Sequence, residues 1–159
     1  MKKIAAVSLG VIAGIVTGGI SAFQVGRVKI AKYKELDRKN NIILGLYNKW
    51  MYARNEGKTI ADYLKENNYK TVAIYGMHYL GENLLEELIA NDIEVLYAID
   101  RNADKISVEV SLYRPEDELP GVDAIIVTAF YYFDEIQSHL QGHVHCPVLS
   151  IEDLIYEML

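Results

Sequence analysis

Cysteine is nearly absent from this chain. Cys146 is the single cysteine among 159 residues. One cysteine excludes a framework of intrachain disulfide bonds and suits a reducing compartment. Internal repeats and low-complexity segments are missing as well. A chain of this length therefore has room for one ordinary domain and an appendage.

Basic residues are scarce in the C-terminal two thirds of the sequence. Residues 59–159 hold five Lys or Arg against nineteen Asp or Glu. A domain this acidic repels polyphosphate backbones at long range, so nucleic acid is excluded as a predicted partner. An anionic ligand would have to be held by local amide dipoles.

Charge is missing altogether from Ile4 to Gly26. As a helix, Ile4–Phe23 would span about 30 Å, the thickness of a bilayer core. This predicts a membrane anchor over residues 1–26. The alternative is a cleaved signal peptide, because Lys2 and Lys3 make a short basic start, but the nearest cleavage-like site is a poor one at Ile20–Ala22.

The flanks of the charge-free segment predict its orientation. Lys2 and Lys3 precede it, whereas six basic residues follow it closely: Arg27, Lys29, Lys32, Lys34, Arg38 and Lys39. The flank that carries more Lys and Arg residues stays in the cytoplasm. We therefore expect a single-pass protein of the plasma membrane with its main domain in the cytoplasm.

Small residues recur at every fourth position of the same segment, including Gly10, Gly14 and Gly18. Such a face lets two membrane helices approach closely, so homo-oligomerisation through these glycines is one hypothesis. The alternative is that small residues are simply common in membrane helices.

Residues 27–58 predict a basic juxtamembrane helix, with nine Lys or Arg against three Asp or Glu. Six residues follow the 3-4 spacing of a coiled-coil seam, and one of them, Asn40, is polar. They are Tyr33, Leu36, Asn40, Ile43, Tyr47 and Trp50. The run is shorter than three heptads and Gly45 interrupts it. We expect instead that an apolar face of Ile42, Ile43, Leu46 and Trp50 docks on the following domain.

Residues 59–159 alternate between strand and helix patterns. Strands are predicted at Thr71–Tyr75, Ile93–Ile99, around Val108–Leu112, within Val122–Phe130 and at Pro147–Ser150. Helices are predicted at 60–66, Gly81–Ala90, Asp134–Leu140 and Ile151–Met158. This alternation predicts an α/β fold, a parallel sheet covered on both faces. Because no full helix lies between the second and third strands, we expect an abbreviated Rossmann-like domain.

The turn after the first strand carries the candidate site. Gly76 and Gly81 occupy the outer positions of a Gly-x-Gly-x-x-Gly phosphate turn. His78 stands at the middle position, where it could donate a hydrogen bond to a phosphate or block the site. Asp100 ends the second strand, where a carboxylate would accept hydrogen bonds from a ribose, and Thr128 ends the central strand on the same edge. The alternative is that the glycines serve chain geometry alone and Asp100 is a turn residue.

Catalytic and metal-binding patterns are harder to find. The sequence has no G-x-S-x-G motif and no Tyr-x-x-x-Lys pair. His143 and His145 would share one face of an extended segment next to Cys146, but no third ligand is evident, so no metal site is predicted. Whether the chain is an enzyme is left open, with a non-catalytic role favoured.

The stretches "KTVAIYGMHYLGENLLEELIANDIEVLYAIDRN" and "LPGVDAIIVTAF" resemble the small Rossmann-like domains of bacterial surface-polysaccharide biosynthesis proteins. The resemblance covers about residues 70–158. It implies binding of a nucleotide or nucleotide sugar near Gly76, Gly81 and Asp100, with NAD(P) as another possible cofactor. We therefore expect a membrane-anchored, nucleotide-binding accessory protein of envelope or capsular polysaccharide biosynthesis. Two alternatives are a ligand-free scaffold that recruits partner proteins and an NAD(P)-dependent oxidoreductase or epimerase-like enzyme.

Overall fold

The computed structural model describes the backbone of residues 2–159 and the side chains of residues 29–159. The predicted anchor Ile4–Phe23 and its small-residue face at Gly10, Gly14 and Gly18 lie outside the described side chains. Within residues 29–159, no helix has the length and apolar character needed to cross a membrane. The chain divides into two compact units, Met1–Gly45 and Leu46–Leu159.

Residues 2–159 form five α-helices and five β-strands. The helices are α1 Lys2–Asn55, α2 Ile60–Glu66, α3 Tyr79–Ala90, α4 Phe133–Leu140 and α5 Ile151–Glu157. The strands are β1 Thr71–Tyr75, β2 Glu94–Ile99, β3 Ser111–Tyr113, β4 Ala124–Val127 and β5 Val148–Ser150. All five strands are parallel, in the order β3-β2-β1-β4-β5. The predicted α/β fold with a parallel sheet is confirmed.

The connections place helices on both faces of the sheet. The chain steps from β1 to β2 in one direction and from β4 to β5 in the other. Because crossovers between parallel strands are right-handed, α3 and α4 cover opposite faces. Between β2 and β3 there is only a 3₁₀ turn, Ala103–Lys105. This agrees with the prediction that no full helix joins these two strands.

The sheet is buried on both sides, so its central strands read as continuous apolar runs. On the α4 face a cluster is formed by Ala73, Tyr75, Tyr97, Ile99, Ile125, Val127, Ile136 and Leu140. The alternate residues of β1 and β4, including Ile74 and Ile126, are fully buried on the other face.

Several predicted boundaries differ from the observed ones. Helix α3 begins at Tyr79 rather than Gly81, because His78 is already the extended residue before the first turn. The central strand is shorter than Val122–Phe130, since the chain enters a 3₁₀ turn at Phe130. Ile89 continues the apolar spacing of Leu84, Leu85 and Leu88 on α3, but it is 50% exposed.

The end of α1 is part of the core of the second unit. Leu46, Trp50 and Ala53 are all buried, with 1% of Trp50 exposed. Docking of Leu46 and Trp50 is therefore confirmed, whereas Ile42 is exposed. Helix α1 runs through Gly45 without a break and ends at Asn55, just before Gly57, whose φ of 79° lies in the left-handed region.

Candidate functional site

The backbone requires glycine both at Gly76, in the turn after β1, and at Gly81, in the first turn of α3. Gly76 has a φ of 99°, which a residue with a side chain adopts only under strain, and a Cβ there would lie 2.8 Å from Thr128 Oγ1. A Cβ on Gly81 would lie 2.1 Å from the carbonyl oxygen of Gly76. The first turn of α3 therefore lies directly against the end of β1.

Asp100 hydrogen-bonds this turn to the end of β2. Its Oδ2 accepts a hydrogen bond from the amide of Met77 at 2.9 Å, and its Oδ1 accepts one from the amide of Asn102 at 2.8 Å. The carboxylate is only half-buried. A carboxylate oxygen has more than one acceptor direction, so Asp100 keeps capacity for a further donor.

Thr128 holds the turn from the other side. Its hydroxyl is buried and lies 2.6 Å from the carbonyl oxygen of Gly76 and 3.1 Å from that of Tyr75. The amide of Thr128 also donates to the Tyr75 carbonyl, at 2.9 Å. The end of β4 is thus bonded to the residue at which β1 becomes the turn.

His78 lies beside this cluster but takes no part in its hydrogen bonds. Its side chain is exposed and caps no amide of α3. The ring instead packs edge-to-face on the exposed Tyr79, with 4.2 Å between ring centroids. Glu82, in the first turn of α3, places a carboxylate at the positive end of the helix dipole and disfavours a dianion there.

Four of the five predicted site residues are therefore brought together, namely Gly76, Gly81, Asp100 and Thr128. They meet at the carboxyl ends of β1, β2 and β4. The fifth, His78, is adjacent and exposed. Asp100 hydrogen-bonds the amide of Met77 in the turn, and Thr128 hydrogen-bonds the carbonyl oxygen of Gly76.

A cleft on the α4 side of the same sheet edge was not predicted. This α4 cleft has a volume of about 620 Å³. It is lined by Tyr75, Arg101, Pro115, Glu116, Glu135, Ile136, Ser138 and His139. These residues come from the ends of β1, β2 and β3 and from α4, so no single sequence segment signals the cleft. The one available hint is Arg101, which directly follows Asp100.

The α4 cleft mixes charges of both signs with hydroxyl groups. Arg101 Nη2 lies 3.8 Å from Glu135 Oε1, and both side chains are exposed. Burial raises the pKa of the Tyr75 hydroxyl, and the nearby Arg101 guanidinium offsets part of that rise. Tyr75 is therefore a neutral hydroxyl at pH 7, able to donate and to accept a hydrogen bond. The lining suits a polar molecule with several hydroxyl groups better than a highly charged one.

The histidines near the end of α4 form no metal centre. His143 Nδ1 lies 3.1 Å from the carbonyl oxygen of His139, and the two rings stack with centroids 5.8 Å apart. Cys146 is half-buried, and burial raises the pKa of its thiol. Among the side chains of residues 29–159, no group of three or more metal-ligating residues comes together.

Comparison of the chain with protein-family models, with curated proteins and with solved structures gives no match.

Proposed function

We propose that residues 46–159 form a Rossmann-like domain that binds a nucleotide or nucleotide sugar, held at the membrane by Ile4–Phe23. Its role would be accessory, in envelope or capsular polysaccharide biosynthesis on the cytoplasmic side. The observation that carries the binding proposal is that Asp100 hydrogen-bonds the turn between β1 and α3. The turn follows β1, which lies beside β4 at the point where the strand order reverses, and open α/β sheets bind ligands at that point.

The geometry of the edge supports a particular ligand position. Asp100 faces the turn and keeps acceptor capacity for ribose hydroxyls, while the α4 cleft begins next to it at Tyr75 and Arg101. A cleft of about 620 Å³ lies in the range of small-molecule sites. The base or sugar would occupy the α4 cleft. Only a small anionic charge would be tolerated near Glu82, Glu116 and Glu135.

A thermal-shift panel tests this proposal. The full chain in detergent micelles is heated with NAD, NADP, UDP-sugars or CDP-linked compounds. A ligand present at 100 times its dissociation constant should stabilise the fold by about 2.7 kcal/mol. We expect a rise in melting temperature with at least one nucleotide compound.

Variants of Arg101 sharpen the test. Arg101→Ala should remove most of the ligand-induced shift without lowering the melting temperature of the free protein, since this side chain is 73% exposed. Lys105→Ala is the matched control, an exposed basic residue that does not line the α4 cleft. Equal shifts in both variants would contradict the proposed ligand position.

A ligand-free scaffold is the second candidate, and one observation favours it. The amide of Met77 already donates to the Asp100 carboxylate, so this donor of the turn is taken and does not face a phosphate. On this hypothesis the acidic domain recruits partner proteins to the membrane. The absence of any shift at millimolar nucleotide would support the scaffold over the binding domain.

A further inference from the structure

The described part of the first unit is a helix with an exposed apolar face. Between Lys29 and Gly45, four large apolar side chains are more than half exposed: Ile30 at 57%, Tyr33 at 69%, Leu36 at 53% and Leu44 at 58%. So many large apolar side chains on one short stretch of helix indicate a surface that another element covers. We propose that a second copy of this chain covers it, in parallel orientation.

The spacing along this helix fits helix pairing. In a heptad with positions a to g, Tyr33 and Asn40 occupy a, and Leu36 and Ile43 occupy d. A shallow groove of about 420 Å³ runs along the face, lined by Tyr33, Lys34, Leu36, Asp37 and Asn40. We call Tyr33, Leu36, Asn40 and Ile43 the seam. The next positions of the pattern, Tyr47 and Trp50, belong to the second unit, where Trp50 is buried.

Asn40 favours two helices running in the same direction. In a parallel pair, position a of one helix faces position a of the other, so the two Asn40 side chains meet and can hydrogen-bond. In an antiparallel pair an a position faces a d position. Asn40 would then lie against Leu36 or Ile43, with no polar partner for its amide.

The charges beside the seam favour the same orientation. Lys32 occupies g and Asp37 occupies e of the next heptad, and both are exposed. In a parallel pair, Lys32 of one copy faces Asp37 of the other, which gives two attractive contacts by symmetry. In an antiparallel pair, g faces g, and Lys32 would approach the basic Lys39.

The opposite face of the helix is polar, as a two-helix pair requires. Its residues at positions c and f of one heptad are Glu35 and Arg38. Arg38 Nη2 and Glu35 Oε1 form an ion pair at 3.0 Å on this outer face. Two heptads make a weak pair in free solution. Tethering both copies to one membrane would raise their effective concentration and make pairing favourable.

Cysteine crosslinking of the full chain in lipid vesicles tests the proposal. In a Cys146→Ser background, Leu36→Cys places a thiol on the seam, and Arg38→Cys places one on the outer face of the same heptad. A disulfide needs Cβ atoms about 3.5–4.5 Å apart. Mild oxidation should therefore link the Leu36→Cys chains about ten times faster than the chains with a cysteine on the outer face. Asn40→Cys places the thiol at a second seam position and keeps Leu36, and this variant should crosslink as readily as Leu36→Cys.

Charge exchange tests the orientation. Lys32→Glu should slow crosslinking at the seam positions several-fold, and the double variant Lys32→Glu with Asp37→Lys should restore it. Equal rates at the seam and the outer face, or no crosslinking at either seam position, would overturn the proposal. Failure of the double variant to restore the rate would overturn the parallel pairing. None of these outcomes depends on nucleotide binding.

Discussion

At the scale of single residues, Gly81 has the least freedom in the candidate site. A Cβ at this position would lie 2.1 Å from the oxygen and 3.1 Å from the carbon of the Gly76 carbonyl. Backbone atoms cannot rotate away as a flexible side chain can, so α3 would have to shift from β1. We expect Gly81→Ala to lower the free energy of unfolding by about 3 kcal/mol, at the upper end of the usual cost of overpacking. Urea denaturation measures this loss.

Gly121→Ala is the control for that substitution. A Cβ on Gly121 would meet no atom within 4 Å, and its backbone is outside the left-handed region. We expect a change within about 0.5 kcal/mol, as for most surface substitutions. If the two alanine variants unfolded at the same urea concentration, α3 would not approach β1 as closely as described.

At the scale of elements, Glu87 joins three helices. It is 2% exposed on α3, and its Oε2 accepts from the indole Nε1 of Trp50 at 2.9 Å while its Oε1 accepts from the amide of Ile60 at 2.8 Å. The guanidinium Nε of Arg54 lies 3.4 Å from Oε2. Burial raises the pKa of Glu87, and the bonds from Ile60 and Trp50 offset part of that rise. The ends of α1 and α2 are thereby bonded to one buried carboxyl group.

Removing the indole donor should therefore destabilise the helix layer. Trp50→Phe keeps an aromatic ring but removes the indole hydrogen bond to Glu87, which leaves Arg54 as the contact of this carboxyl group with α1. The expected loss is about 1–3 kcal/mol of unfolding free energy, the cost of leaving a buried polar group without its partner. Tyr52→Phe, at a side chain that is 61% exposed, is the matched control and should have little effect. Thermal unfolding followed by circular dichroism compares the two variants.

Asp123 joins the starts of β1 and β4 and makes stability depend on pH. Its Oδ2 accepts from the amides of Thr71 and Lys70, each at 2.8 Å, and these bonds hold the pKa of Asp123 below its ordinary value of 3.8. A depressed pKa in the folded state contributes stability above the unfolded pKa, and this stability is lost as pH falls through the folded pKa.

The pH prediction for Asp123 concerns the difference between two proteins. Asp123→Ala should unfold at a lower urea concentration than the wild type at pH 7. This gap should narrow as pH falls below 3.8, because the wild-type carboxyl group then becomes protonated. A gap that stayed constant or widened on acidification would show that the hydrogen bonds do not act through the charged carboxylate.

At the scale of the whole molecule, local sequence patterns were sufficient to predict the helices and strands but not the contacts of the candidate site. The sequence predicted β1, β4 and α2, and in α2 Thr59 and Asp62 form a capping box at the first turn. It also predicted that Trp50 docks on the domain, but not that its indole bonds to Glu87, 37 positions further along the chain. Pairings at such distances depend on how the elements pack, which periodicity does not report.

The candidate site shows the same limit. Its order of strand, glycine turn, helix and acid was visible in the sequence, and the structure brings Gly76, Gly81 and Asp100 together. What the order did not indicate is that the Asp100 carboxylate binds the amides of Met77 and Asn102. The α4 cleft was missed because its lining is gathered from four separate segments.

The boundary of the folded unit gives the last prediction. The sequence predicts a domain over residues 59–159, but the compact unit begins at Leu46. A chain that starts at Lys58 would lose Leu46, Trp50 and Ala53, three buried side chains, and the indole donor to Glu87. Truncating one buried Trp alone costs about 3–5 kcal/mol, against a total stability of about 5–15 kcal/mol for a typical domain.

We therefore expect residues 46–159 to unfold cooperatively in urea, and residues 58–159 to show a broad transition or none. Dispersed amide resonances in the longer fragment and their collapse in the shorter one would give the same result by nuclear magnetic resonance. Two fragments with the same urea midpoint would mean that the end of α1 only rests on a domain that is already complete. A clear difference would make the last helical turns of α1 part of the domain.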